Sequence, residues 1–142
     1  NIFRKGVHPS IDTLVDKLET ETEKLHLVRQ YLESLIIKEK RGKNNAVEIN
    51  KTDKNGYSIQ TTRRRGTLIK DALSKQKGMK TIKLNLKSGL TFSLPVDQLQ
   101  FIQSTSSKVR VENNVIKDIT RIIEVYSRKI IDEVQLKFNN FR

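Results

Sequence analysis

The chain has 142 residues, 28 Lys and Arg against 16 Asp and Glu, a net charge of +12 and no cysteine. This length suits one compact domain or one extended module with a modest core, and the lack of cysteine excludes disulfides and thiolate metal sites. No apolar run approaches the roughly 18 residues that a membrane span needs. We therefore expect no membrane partner and an intracellular protein, without distinguishing cytoplasm, nucleus and DNA-containing organelle. Because the sequence starts at Asn1 and not at a methionine, we expect a segment of a larger protein.

The first predicted element is one long amphipathic helix from Ile11 to about Arg41. Pro9 suits its first turn and Gly42 its end. Its apolar residues recur at helical spacing, at Ile11, Leu14, Leu18, Leu25, Val28, Leu32 and Leu35. This pattern gives the helix one apolar stripe, which needs a packing partner.

A β hairpin is predicted next. Ala46–Asn50 and Gly56–Thr62 alternate between apolar and polar residues, the period of a half-buried strand. Between these segments, Asn55 and Gly56 readily supply the positive φ of a tight turn. Three adjacent arginines, at positions 63 to 65, follow the hairpin.

The sequence then predicts a short helix and a second hairpin. The helix covers Gly66–Gly78, with Leu68, Ile69, Ala72 and Leu73 facing inward. The hairpin covers Thr81–Pro95 and turns at Ser88 and Gly89. Alternation puts Ile82, Leu84 and Leu86 on one of its faces and Lys83, Asn85 and Lys87 on the other.

A last strand around Ser106–Glu112 leads into a final amphipathic helix, whose stripe is Ile116, Ile119, Ile123, Tyr126, Ile130, Val134 and Phe138. Since each long helix has one apolar stripe, we expect the two to pack against each other antiparallel. The predicted fold class is therefore α+β. Two long antiparallel helices, in residues 1–41 and 112–142, form a coiled-coil-like stalk that carries an antiparallel β-rich tip with a short helix, residues 42–111.

The positive charge is concentrated in this tip. Between Lys40 and Arg110 there are 16 basic and 4 acidic residues, whereas the two flanks together are balanced. A basic run is usually a solvated face. Here it coincides with Asn, Gln, Ser and Thr donors on predicted strands, the mixture that contacts phosphate oxygens. The tip is therefore a candidate for binding a nucleic-acid backbone.

Catalysis finds little support in the sequence. His8 and His26 are far apart in the chain, and neither G-x-x-x-x-G-K-[ST] nor G-x-G-x-x-G occurs. We expect no catalytic residues, no metal and no cofactor. The tip has few aromatic residues to stack on bases, which favours duplex over single strands. Nothing resembles a recognition helix, so we expect little sequence preference.

Three stretches resemble the MutS family of DNA mismatch repair proteins. Phe3–Leu14 is similar to the F-x-x-G-x-x-P-x-L-D-x-L entry to that family's lever helix. Val47–Thr62 resembles the clamp hairpin, in which a V-x-x-N strand and a short turn precede G-Y-x-I-x-V. Ile102–Ile119 resembles the returning clamp strand and second lever helix, where eukaryotic-type homologues carry a V-[KR]-[FY]-T-N pattern that Val109–Asn113 matches in part.

This resemblance implies a first lever helix in residues 1–41, a clamp in 42–111 and a returning lever helix in 112–142. It implies a non-catalytic segment that binds the backbone of duplex DNA without sequence specificity. It also implies a partnership with the rest of a larger, dimeric MutS-like chain. ATP binding and hydrolysis would belong to a domain of that parent protein outside this segment.

Candidate DNA contacts come from two sources. By resemblance they are Lys51, Lys54 and Asn55 at the hairpin turn and Ser104, Thr105, Lys108 and Arg110 on the returning strand. Charge alone adds Arg63, Arg64, Arg65, Lys83 and Lys87. The segment Arg64–Gln100 is longer than the usual clamp insert, and Ser10 replaces the acidic residue common after the proline. We therefore expect the DNA contacts to differ from those of family members.

Two alternatives stay open at this point. One is a coiled-coil protein interaction module, whose apolar stripes bind a partner helix and whose basic tip is solubilising or grips an acidic protein. The other is an RNA ligand for the basic tip.

Overall fold

Three helices and six strands make up the part of the chain that the computed structural model describes, which is residues 9–36, 46–52, 56–76, 78 and 80–139. Their order along the chain is α1 (Pro9–Ser34), β1 (Val47–Thr52), β2 (Gly56–Thr62), α2 (Arg63–Lys75), β3 (Thr81–Asn85), β4 (Thr91–Pro95), β5 (Gln100–Gln103), β6 (Lys108–Glu112) and α3 (Asn114–Asn139). None of these helices is long and apolar enough to cross a membrane.

The strands form two separate antiparallel sheets. The larger sheet has the order β1-β2-β6-β5, and the smaller one is the β3–β4 hairpin. Ile59 pairs with Ile49 on one side and with Val111 on the other, so these three side chains share the apolar face of the larger sheet. The pairing of Gln60 with Glu48 and with Arg110 places polar side chains on the opposite face. Both predicted hairpins are confirmed.

The apolar face of the larger sheet and all three helices share one core. The buried residues in this core are Leu25, Val28 and Leu32 of α1, Val47, Ile59 and Val111 of the larger sheet, Ile69 of α2, Leu94 of β4, Val96 after it, and Ile116, Ile119 and Ile123 of α3. The C-terminal half of α1 and the N-terminal half of α3 therefore belong to the body of the molecule.

The predicted coiled-coil-like stalk is wrong. The two terminal helices do contact each other, but α1 also packs on β1 and β3, and α3 also packs on β2 and β6. The physical reason is that a sheet with one apolar face must bury that face too. Helical spacing shows that a stripe exists, but it cannot show whether a helix or a sheet covers it.

Two further elements, α2 and β5, differ from the prediction. The helix α2 begins at Arg63 and not at Gly66, because the Thr62 hydroxyl caps it by accepting a hydrogen bond from the Arg65 backbone N–H at 3.2 Å. The arginine triplet therefore lies on this helix. Leu68, predicted to face inward, is 47% exposed. The strand β5 was not predicted, since its four residues are too short for a clear alternation.

The first helix was predicted to reach about Arg41, and α1 ends at Ser34. Residues 37–45 lie outside the described part of the chain. A buried carboxylate joins the end of α1 to the start of β1. Glu33 Oε1 accepts hydrogen bonds from the backbone N–H groups of Ala46 at 2.8 Å and Val47 at 3.3 Å, while its Oε2 lies 3.3 Å from Arg29 Nη1. These contacts fix where the larger sheet begins relative to α1.

Asn113 joins three elements at the start of α3. Its Oδ1 accepts a hydrogen bond from the Ile116 backbone N–H at 2.9 Å, and its Nδ2 donates to the Pro95 carbonyl at the end of β4 at 2.8 Å. Asn113 is 5% exposed. If its side chain were removed, the Ile116 N–H and the Pro95 carbonyl would lose these hydrogen bonds without gaining access to bulk water.

We predict that Asn113→Ala lowers the free energy of unfolding by about 2 kcal/mol, because it removes a helix cap and a second buried hydrogen bond. Urea denaturation monitored by circular dichroism measures this loss. Asn114→Ala is the control, since Asn114 is exposed next to Asn113 and should change stability by less than about 0.5 kcal/mol. Equal effects of the two variants would contradict the role given to Asn113.

The helix α2 lies close to the larger sheet at Gly66, which is buried. A Cβ atom at this position would lie 2.8 Å from Val109 Cγ2 and 3.6 Å from Phe101 Cδ2. Val109 is a β-branched residue of the core, and its methyl group has few alternative rotamers. The absence of a side chain at position 66 therefore sets the distance of α2 from β6.

We predict that Gly66→Ala destabilises the protein by about 1–3 kcal/mol through overpacking, although alanine has the better helix propensity. A double-mutant cycle with Val109→Ala, measured by urea denaturation, tests the cause. The cost of Gly66→Ala should be smaller in the Val109→Ala background. An equal cost in both backgrounds would rule out the steric contact as its origin.

Candidate nucleic-acid interface

Three exposed arginines form the first turn of α2. Arg63, Arg64 and Arg65 follow the Thr62 cap directly, and no acidic residue stands in this turn. Backbone N–H groups at the start of a helix carry partial positive charge, so cations there destabilise the helix and favour a bound anion. We call these three residues the α2 start.

A serine-rich turn, Ser104–Ser107, lies beside the α2 start. The Arg63 backbone N–H donates to the Ser107 carbonyl at 3.0 Å, and Arg63 Nη1 donates to the Ser106 carbonyl at 3.5 Å. The Thr105 hydroxyl accepts from the Ser107 and Lys108 backbone N–H groups at 3.3 and 3.1 Å. This network orders the turn and places its exposed hydroxyls next to the arginines.

Lys108 and Arg110, on the outer face of the larger sheet, already have carboxylate partners. Lys108 Nζ lies 3.7 Å from Glu48 Oε2, and Arg110 Nε lies 3.3 Å from Glu112 Oε2. The Arg110 contact is an ion pair and not a hydrogen bond, since the buried Nε has no hydrogen-bond partner among the described residues. Both cations are therefore partly neutralised inside the protein.

Arg64 and Arg65 differ from Lys108 and Arg110 in this respect. Among the described residues, neither has a carboxylate oxygen within 4.0 Å. Among the described residues, the Arg63 guanidinium donates only to the Ser106 carbonyl, which leaves its charge intact. The structure thus groups the α2 start with Ser104, Thr105 and Lys108, and within this group the α2 start carries the uncompensated charge.

The remaining predicted contacts lie elsewhere. Lys51 pairs with Tyr57 at the turn end of the first hairpin, with its Nζ 5.3 Å from the centre of the Tyr57 ring. The α2 start follows the other end of β2, six residue steps or roughly 20 Å along the strand. Lys54 and Asn55 lie outside the described residues. The sequence-based list therefore does not form one contiguous patch.

Lys83 lies on β3 of the smaller sheet, and Lys87 lies in the turn that joins β3 to β4. Both side chains are exposed, and the Lys87 backbone N–H donates to Glu23 Oε2 of α1 at 2.7 Å. Lys80, just before β3, is also exposed and was missed by the sequence-based list. The signal that could have found it is the lack of any acidic residue between Asp71 and Asp97.

Metal coordination has no basis in the described residues. No group of three or more His, Asp or Glu side chains there is placed to hold a metal ion. Burial raises the pKa of the Tyr31 phenol, whose hydroxyl lies 3.5 Å from Gln76 Oε1 at the end of α2. This contact joins α1 to α2 and lies apart from the basic groups.

Comparison with known proteins gives one distant similarity. No protein-family model matches the chain. Over 140 residues, 97% of this chain, it is 23% identical to a protein of Acanthamoeba polyphaga mimivirus named "Putative DNA mismatch repair protein mutS homolog L359". The aligned region covers 12% of that protein, so the chain spans about an eighth of its relative. The chain is thus distantly similar to one segment of a MutS homolog.

Proposed function

We propose that this chain binds the backbone of duplex DNA without sequence specificity, as the DNA-contacting segment of a MutS-like mismatch repair protein. The observation that carries the proposal is the α2 start, where three exposed arginines without carboxylate partners among the described residues stand beside the exposed serine-rich turn. The distant similarity to a mutS homolog supports DNA as the ligand.

The proposed mechanism is electrostatic. Guanidinium groups of Arg64 and Arg65 pair with phosphate oxygens in planar, bidentate geometry, and each neutralised phosphate releases condensed counterions. The exposed Ser106 hydroxyl supplies a further hydrogen bond to phosphate or sugar, whereas the Ser104 hydroxyl already donates to the Lys108 carbonyl at 3.3 Å. Lys108 and Arg110 contribute less, because binding DNA would require them to exchange Glu48 and Glu112 for a phosphate.

In the proposed parent protein, DNA engagement is coupled to an ATPase domain that lies outside this chain. The coupling would pass through α1 and α3, since both helices share the core with the larger sheet and α2 packs on that sheet through Gly66. This segment itself is non-catalytic in the proposal. The dimeric state and the ATP binding of the parent protein belong to the same proposal.

We predict that log Kobs for duplex DNA falls linearly with log salt, and that Arg64→Gln with Arg65→Gln lowers this slope by roughly 1–2 units, at about 0.9 per lost phosphate contact. The loss should be similar for unrelated duplex sequences, because phosphate contacts carry no sequence information. Fluorescence anisotropy with labelled duplexes at several salt concentrations measures both quantities.

The control is Arg121→Gln with Arg128→Gln on α3, which removes the same charge. These exposed arginines lie 3.3 Å from Asp118 and Glu124 respectively, so their loss should leave the slope nearly unchanged. Absence of duplex binding by the wild-type chain at low salt would refute the proposal. Equal losses from both double variants would indicate a general effect of net charge. Tighter binding to duplex RNA than to duplex DNA would replace DNA by RNA as the ligand.

A further inference from the structure

We propose that the outer face of the β3–β4 hairpin is a second surface for the phosphate backbone of duplex DNA, separate from the α2 start. This inference rests on the proposed function and extends it to a different sheet. The face consists of five exposed side chains, Thr81, Lys83, Asn85, Thr91 and Ser93, and we call it the hairpin face.

Strand register brings these five side chains together. Lys83 pairs with Ser93 and Asn85 pairs with Thr91, so lysine, amide and hydroxyl groups alternate across the two strands. All of them can donate hydrogen bonds, and Lys80 and Lys87 flank the face at its two ends. The hairpin face therefore presents a continuous array of donors around a central ammonium group.

The lysines of this surface have no direct ion-pair partner among the described residues. No acidic residue occurs between Asp71 and Asp97. Among the described residues, no carboxylate oxygen lies within 4.0 Å of the side-chain nitrogens of Lys80, Lys83 or Lys87. The Glu23 carboxylate accepts from the Lys87 backbone N–H and keeps its negative charge at the turn, so the uncompensated charge is centred on Lys80 and Lys83. The positive potential of the hairpin is therefore available to an external anion.

The opposite face of the hairpin fixes it firmly to the rest of the molecule. Leu94 is fully buried, Ile82, Leu84 and Phe92 pack against the common core, and Lys24 Nζ of α1 lies 5.7 Å from the centre of the Phe92 ring. The hydrogen bond from Lys87 to Glu23 holds the turn against α1 at 2.7 Å. Because the hairpin is packed against the core, its side chains lose less conformational entropy on binding than those of a free loop would.

The chemistry of the face favours nucleic acid over a protein partner. Protein interfaces are depleted in Lys and Ser, and their affinity depends on buried aromatic, arginine or aliphatic anchors. The hairpin face has no such anchor. The exposed Leu90 lies at the turn, outside the face. Hydroxyl, amide and ammonium donors without an apolar centre match phosphate and sugar oxygens.

The test compares Lys83→Gln with Lys87→Gln against the control Arg121→Gln with Arg128→Gln, which also removes two charges. Fluorescence anisotropy of a labelled duplex is measured across a salt series for the wild type, for each double variant and for Arg64→Gln with Arg65→Gln. We expect the hairpin variant to lower the slope of log Kobs against log salt by roughly 1–2 units. Combined with the α2-start variant, the two losses should add, because the surfaces are separate. Thermal unfolding checks that each variant is folded.

Each outcome is decisive. A reduced slope in the hairpin variant with an unchanged slope in the control supports the second surface. An unchanged slope in the hairpin variant, alongside a reduced slope in the α2-start variant, overturns this inference and leaves the proposed function standing. An acidic protein would then be the alternative partner for these lysines. Absence of duplex binding by the wild-type chain overturns both proposals.

Discussion

The structure depends on burial of the apolar face of the four-stranded sheet. Ile59 of β2 is fully buried. Val47 of β1 and Val111 of β6, the two strands that flank β2, are fully buried as well. A face of this kind cannot remain exposed to water, since each buried aliphatic side chain contributes about 1.5–3 kcal/mol. The terminal helices, α2 and the second hairpin all pack on this core, and their placement determines which polar residues are left at the surface.

Ion pairing then divides the cations of this basic chain into two groups. On α1 and the outer face of the larger sheet, cations lie within 4.0 Å of a carboxylate, as for Arg29 with Glu33 and Lys108 with Glu48. On the α2 start and the hairpin face, no such partners occur among the described residues. The positive charge that ion pairs leave uncompensated therefore includes the α2 start and the hairpin face, and that distribution supports the proposals for DNA binding.

The α2 start and the hairpin face are attached to the core in the same way. A short element exposes polar side chains on one side and inserts an apolar or small residue into the core on the other: Gly66 and Ile69 for α2, Leu94 for the hairpin. This packing holds the hydrogen-bond donors of both surfaces rigidly relative to α1 and α3. In the proposed parent protein, a force on the DNA contacts would reach these helices through packed side chains and not through flexible linkers.

The sequence by itself determined the elements that local patterns specify. Helical spacing predicted both long helices, alternation predicted both hairpins and the exposed side of Lys83 and Lys87, and composition located the positive charge. Tertiary structure decided the packing partners, helix start and ion pairs that local patterns do not specify. It placed the helices against a sheet and not in a free stalk, because a stripe does not name its partner. It started α2 at Arg63, since the Thr62 hydroxyl caps that helix. It paired Lys108 with Glu48, because contacts between strands distant in sequence depend on sheet order.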